Sequence, residues 1–213
     1  MKFSKGFGNS YDFFMQFIER PYLRKRRSKL ISGLSGKILE VGIGTGVNFE
    51  HYGTEVQLIG IEPSPYMIEQ ARTKKDISIA AGKITLHHLG CGDQEMERMI
   101  EPCTLDFVVC TLVLCTIPDP EKAIRNFMRW LKPGGKLIIL EHIRSQNRLV
   151  SKMQDMLNPA WQKVGEGCQI NRATDKLIPA MGFNLIEEEY FRIAIPFYQA
   201  VYEKPLGMTS GPS

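Results

Sequence analysis

No apolar run in the 213 residues approaches the roughly 20 positions that a membrane-spanning helix needs. The lysine start of "MKFSKGFGNSYDFF" is not followed by an uninterrupted apolar segment and a small-residue cleavage site, so no secretory signal is expected and the expected compartment is the cytoplasm. The five cysteines (Cys91, Cys103, Cys110, Cys115, Cys168) are odd in number, scattered and never in CxxC spacing. That pattern argues against a disulfide framework and a structural zinc, and no metal is expected. His87 and His88 point to opposite faces of a strand and cannot readily grip one ion, and His51 has no ligand pattern around it. Internal repeats, low-complexity tracts and interdomain linkers are also missing. The chain therefore reads as one well-buried domain with one site.

What is present is alternation. From Gly36 the strands "KILEV", "VQLIGIE", "ITLHHL", "LDFVVCT" and "KLIILE" alternate with helical segments, including one after Gly46, "SPYMIEQARTKK", "QEMERMI" and "DPEKAIRNFMRWL". Short apolar runs joined by helices imply parallel strands covered on both faces. After a helical region from about Leu149 to Met181, "FNLIEEEYF" and "PFYQAVYEK" follow without room for a crossover helix, so they pair as an antiparallel hairpin. The expected class is α/β: a doubly wound, mostly parallel seven-stranded sheet with an antiparallel C-terminal hairpin. Residues 1–35 read as an N-terminal helical lid and 36–213 as the ligand-binding domain. Within the lid, Tyr11, Phe14, Phe17 and Ile18 recur at helical spacing and Pro21 is a break. The net charge of +4 is concentrated in "RPYLRKRRSK", Arg20 to Lys29, which reads as a solvated basic helix face or as a peripheral contact with an anionic membrane.

In such sheets a ligand sits beyond the carboxyl ends of the strands. The first strand ends in "LEVGIGTGVN", where Gly42, Gly44 and Gly46 let backbone approach a ligand, and the second ends at Glu62, twenty residues after Gly42. An acid there accepts hydrogen bonds from ribose hydroxyls. A dinucleotide site reads GxGxxG and sets pyrophosphate on a helix N-terminus. Here the spacing is GxGxG behind Glu40, which favours a nucleoside cofactor without phosphates.

Together, "LEVGIGTG", "GIEPSPYMIEQA" and "LDFVVCTLVLCTIPDPEKAIRNFMRWLKPGGKLIILEH" resemble the class I S-adenosylmethionine-dependent methyltransferases, particularly the quinone-biosynthesis and phospholipid group. The resemblance covers about Gly36 to His142 and implies the Rossmann-like methyltransferase fold with S-adenosyl-L-methionine as cofactor. It implies that Glu40, Gly42, Gly44 and Gly46 face the methionine part, that Glu62 holds the ribose, that Asp93 and Gln94 meet the adenine, and that Thr111 and Leu112 flank the methyl group. "CTLVLC", "EH", "NPAW" and "GCQINR" resemble, more patchily, the thiol S-methyltransferases of the methyltransferase-like family, which methylate hydrogen sulfide and alkyl thiols. Those relatives carry an N-terminal hydrophobic anchor, whereas this chain has the amphipathic aromatic and basic segment.

Methyl transfer from a sulfonium needs alignment and desolvation more than covalent help. The expected acceptor is a small molecule, a thiol first, with a phospholipid or quinone as the alternative. His142, after the fifth strand, is the candidate to orient the acceptor or take its proton. Tyr11, Phe14, Cys115, Trp161, Asn171 and Arg172 are candidate acceptor-side residues. Nucleic acid is not expected, because the fourth strand lacks the Pro-Pro-aromatic ending of amine-directed nucleic-acid methyltransferases and no RNA-binding domain is appended. Asp119 and Pro120 read as the cap and first turn of the next helix.

Overall fold

The computed structural model describes residues 22–77, 83–193 and 195–207. Tyr11, Phe14 and Arg20 lie outside these, so the expected aromatic helix is not among the described elements. The chain divides at Gly90/Cys91 into two compact units.

The first unit opens with α1, Arg24–Ile31. Leu23, Arg27 and Ile31, four residues apart, form its buried stripe. The basic run is therefore not wholly a solvated face: Arg27 is 3% exposed and donates to Asn48 Oδ1 at 3.0 Å, while the exposed Arg24 pairs with Glu50 at 2.7 Å. Next come β1 (Gly36–Val41), β2 (Val56–Ile61), α2 (Pro65–Ile77) and β3 (Lys83–His87). β1 runs parallel to β2 from Gly36↔Val56 to Val41↔Ile61, and β2 parallel to β3 from Gln57↔Lys83 to Ile61↔His87. The order is β3-β2-β1.

The second unit contains α3 (Gln94–Met99), β4 (Leu105–Thr111), α4 (Pro120–Trp130), β5 (Leu131–His142), α5 (Arg148–Val164), α6 (Thr174–Ala180), β6 (Asn184–Arg192) and β7 (Pro196–Glu203). β4 and β5 are parallel, β7 is antiparallel to both β5 and β6, and the order is β4-β5-β7-β6. The seven strands have the expected mostly parallel, Rossmann-like character with an antiparallel C-terminal hairpin. β7 lies beside β5 because its residues are mostly buried. The acidic β6 is mostly exposed, and charges along an edge discourage further strand pairing.

Two elements depart from their sequence pattern. No α-helix follows Gly46, only a 3-10 turn at Phe49–His51, because the short stretch 47–55 must turn back into β2 and contains Gly53. α5 is inverted: Ser151, Gln154 and Asn158 face inward, whereas Leu149, Met153, Met156, Leu157 and Val164 face solvent and Trp161 is 40% exposed. Gln154 explains the inversion, since its amide donates to the carbonyls of Ile143 and Ile170 and accepts from Ser145 N. No described helix is long and apolar enough to cross a membrane.

Candidate functional site

In the first unit, β1 delivers a loop whose three glycines all have positive φ: 66° at Gly42, 54° at Gly44 and 75° at Gly46. Their reasons differ. A Cβ on Gly46 would lie 2.6 Å from the Phe49 ring, so packing forbids it; a Cβ on Gly44 would meet nothing within 4 Å, so backbone there is open to a ligand. The loop is anchored by Gly42 and Ile43 N–H groups donating to the Ile61 carbonyl at 2.9 and 3.1 Å. Glu62, at the end of β2 and 6% exposed, accepts from Gly44 N at 3.0 Å and Ser64 N at 2.9 Å. One carboxylate thus fixes the glycine loop while standing where the sequence places a ribose partner.

Glu40 has a different setting from the cofactor-facing one that the resemblance implies. It is buried in β1, with Oε1 accepting from Asn48 Nδ2 at 2.7 Å and Oε2 from the Tyr52 hydroxyl at 2.8 Å. Burial pushes its carboxyl up to about 7, against the opposing effects of Tyr52, Asn48 and Arg27. Its observed work is to tie the returning loop to the strand.

In the second unit, Asp93 and Gln94 are exposed at the start of α3, where Asp93 holds the cap position with extended backbone and no side-chain cap bond. Thr111 ends β4 and is buried. Leu112 follows with φ 57°, a left-handed conformation rare for a branched side chain. Such conformations persist only where surroundings enforce them and cluster at functional sites. Here the enforcement is visible: Leu112 N donates to Leu140 O at 2.8 Å, and the next two N–H groups, of Val113 and Leu114, both donate to Glu141 Oε1 at 2.8 Å.

Glu141 was not singled out from the sequence, yet it organises this corner. It is fully buried, its Oε2 has no partner, and burial raises its carboxyl to about 7. His142, the last residue of β5, is buried beside it. Its Nε2 lies 3.2 Å from Cys168 Sγ, its Nδ1 is buried without a partner, and Phe197 meets the ring edge-on at 6.4 Å. Burial opposes charge on His142, but the neighbouring Cys168 sulfur outweighs it and raises the imidazole's pKa.

Cys168 is the second residue that sequence reading missed. It follows α5 through a turn in which Glu166 and Gly167 are left-handed, at 49° and 92°. Cys115, His142 and Cys168 bring their ligand atoms within 4.8 Å of one another. Of the expected acceptor-side residues, the structure gathers Cys115, Trp161 and Arg172 here. The Trp161 side chain hydrogen-bonds Cys168, and Arg172 Nη1 donates to the carbonyls of Leu114 and, at 2.7 Å, Ile117. The Cys115 thiol donates to Cys168, which together with His142 draws Cys168 toward the thiolate and holds Cys115 protonated. Asn171 is not part of the cluster, because its amide donates to Asp155 Oδ1 at 2.9 Å beside the Arg144–Asp155 ion pair. No spacing rule could join Cys115 to Cys168, which come together only through folding.

The glycine loop and the acid closing β2, on strands of a Rossmann-like sheet, form a strand-end arrangement of the kind that suits a nucleoside. A family model described as a methyltransferase domain matches residues 39–139. Thiol S-methyltransferase TMT1B is 33% identical in its human form, over 76% of this chain and 66% of the relative. Its mouse form is 30% identical over 84% and 78%. The chain thus spans just under two thirds of the human relative's length. A phosphatidylethanolamine N-methyltransferase from Cereibacter sphaeroides is 29% identical over 62% of this chain and 63% of its own. A crystal structure of an S-adenosylmethionine-dependent methyltransferase from Mesorhizobium loti superposes with a TM-score of 0.63 at 14% identity, covering 84% and 96% of the two chains, and so shares the fold. The chain belongs to the S-adenosylmethionine-dependent methyltransferases.

Proposed function

We propose that this protein transfers the methyl group of S-adenosylmethionine to a small thiol. The observation that carries the reading is the sulfur-rich corner at the end of β5, where His142 Nε2 stands 3.2 Å from Cys168 Sγ with Cys115 alongside. A corner of sulfur, indole and imidazole suits a soft, weakly hydrogen-bonding acceptor better than a phosphate-bearing headgroup.

The residues present fit the cofactor. Open backbone at Gly44 admits a ligand, and the 3-10 turn behind the loop supplies no helix N-terminus for a pyrophosphate, which favours a nucleoside without phosphates. Gly42, Gly44 and Gly46 would take the methionine portion, Glu62 the ribose, Asp93 and Gln94 the adenine, and Thr111 and Leu112 the surroundings of the methyl. The cofactor supplies an electrophilic methyl on a sulfonium that departs as a neutral thioether. His142 would take the acceptor's proton, since the thiolate is the nucleophile, and Trp161 and Phe197 would keep water from it.

The alternative, a lipid acceptor, draws on one observation: the exposed apolar face of α5 carries Lys152 and Lys163 on the same helix, a pattern suited to lying on a membrane surface. The basic stretch from Arg20 to Lys29 would add to it, less the buried Arg27. The test is incubation with methyl-labelled cofactor and a panel of alkyl thiols, hydroxyquinones and phosphatidylethanolamine vesicles, alongside cosedimentation with anionic vesicles at low salt. Label is expected in the thioether. Label in the lipid, with cosedimentation, would replace the thiol reading by the lipid one.

A further inference from the structure

We propose that Cys115, His142 and Cys168 bind one thiophilic divalent cation such as Zn2+, leaving a fourth coordination position for the acceptor's thiolate; the last clause rests on the thiol reading above. Three observations converge. The ligand atoms, from the β4–α4 loop, the end of β5 and the turn after α5, all lie within 4.8 Å of one another, the only group of its kind among the described residues. A tetrahedral cation with metal–sulfur bonds of about 2.3 Å and metal–nitrogen bonds of about 2.0 Å sets sulfur and nitrogen about 3.5 Å apart; His142 Nε2 and Cys168 Sγ are 3.2 Å apart. His142 Nδ1 and Glu141 Oε2 are buried without partners, so the polar capacity of this corner exceeds what the protein itself fills.

The donor chemistry points the same way. Two cysteines and one histidine with an open fourth position is a set that zinc uses where it handles a substrate. A divalent cation would take both cysteines as thiolates, releasing their protons to solvent and leaving the group neutral. The Trp161 contact to Cys168 is then an outer-shell bond of the kind that steadies a ligating sulfur.

With its Nε2 held by the cation, His142 serves as a ligand and not as the base: in the transfer the acceptor thiol gives its proton to solvent and its sulfur occupies the fourth position. A sulfur–carbon bond forms to the methyl as the sulfonium's carbon–sulfur bond breaks, its electron pair staying on the cofactor's sulfur. The neutral product thioether is a weak ligand and leaves. No oxidant or reductant is required.

The test uses the full chain, stripped with a chelator and titrated with Co2+ and Zn2+. One cobalt per chain is expected, with thiolate-to-cobalt charge-transfer absorption, and ethanethiol should shift that band. Cys115→Ser and Cys168→Ser should each weaken affinity more than about a hundredfold, beyond what loss of an outer-shell contact gives, while Cys110→Ser should not. If a serine variant fails to fold, zinc should still protect Cys115 and Cys168 of the unaltered protein from iodoacetamide. Substoichiometric cobalt without the band, or no protection, overturns the site. A band unmoved by ethanethiol overturns the fourth position. Undiminished thiol methylation by metal-free protein overturns the cation's role and leaves the thiol reading standing; stoichiometric cobalt without methylation of any thiol sustains the cation site and removes that reading.

Discussion

Leu112 and Glu62 show how single residues hold the strand-end loops. A left-handed backbone costs a branched residue about 1–2 kcal/mol, and at Leu112 this is offset by the Leu140 carbonyl and the two N–H groups gathered by Glu141. Glu62 does the same for the glycine loop through Gly44 and Ser64. Each loop is therefore pinned by a buried carboxylate instead of by regular structure. For Glu62 the pinning and the proposed ribose contact would act together. Hydrogen bonds to a charged group contribute about 1.5–3 kcal/mol, so Glu62→Ala is expected to weaken cofactor binding about ten- to a hundredfold by calorimetry. Glu62→Gln, which keeps one acceptor oxygen, should fall between. Unchanged affinity in the alanine variant would remove Glu62 from the site.

At the scale of elements, α4 is set by local chemistry. Asp119 accepts from Lys122 N at 2.9 Å and Pro120 occupies the first turn. Asp119→Ala is expected to cost about 1 kcal/mol, a fall in Tm of about 2–4 °C for a chain of this size. Asp119→Asn should stay near the parent, and an alanine variant with unchanged Tm would mean the cap contributes nothing. This start was legible in the sequence because both residues act within one turn. The inversion of α5 was not, because Gln154 faces inward to serve carbonyls at Ile143 and Ile170, and no helical periodicity carries that information. The turn after Gly46 was hidden for the same reason: Asn48 and Tyr52 are recruited by Glu40, a tertiary contact. β7 lies inside β6 because of burial, and the chain order alone left their places open.

For the whole molecule, the parallel strands and the glycine-acid pair were readable because each is a local pattern repeated along the chain. The sulfur corner was not, since Cys115 and Cys168 meet only after a helix and a turn bring the second to the first. Global stability depends on another contact of that kind. Arg27, Asn48, Glu40 and Tyr52 form a buried chain from α1 through the returning loop to β1. Burial, the largest influence, lifts the Glu40 carboxyl from its ordinary 4.5 to about 7. The folded state therefore binds a proton that the unfolded state has already released between those values. This contribution is fully present below about 4.5 and is lost as the pH rises through about 7. Each tenfold gain in proton affinity is worth about 1.4 kcal/mol, so the contribution amounts to about 3 kcal/mol. Urea unfolding of the parent and Glu40→Gln, from pH 5 to pH 8, isolates it, since other titrating groups are common to both. The parent's stability relative to the variant should decline from pH 5 to about 7 and level off toward pH 8. A constant difference would mean that Glu40 stays ionised throughout, with Arg27 and the two hydrogen bonds outweighing burial.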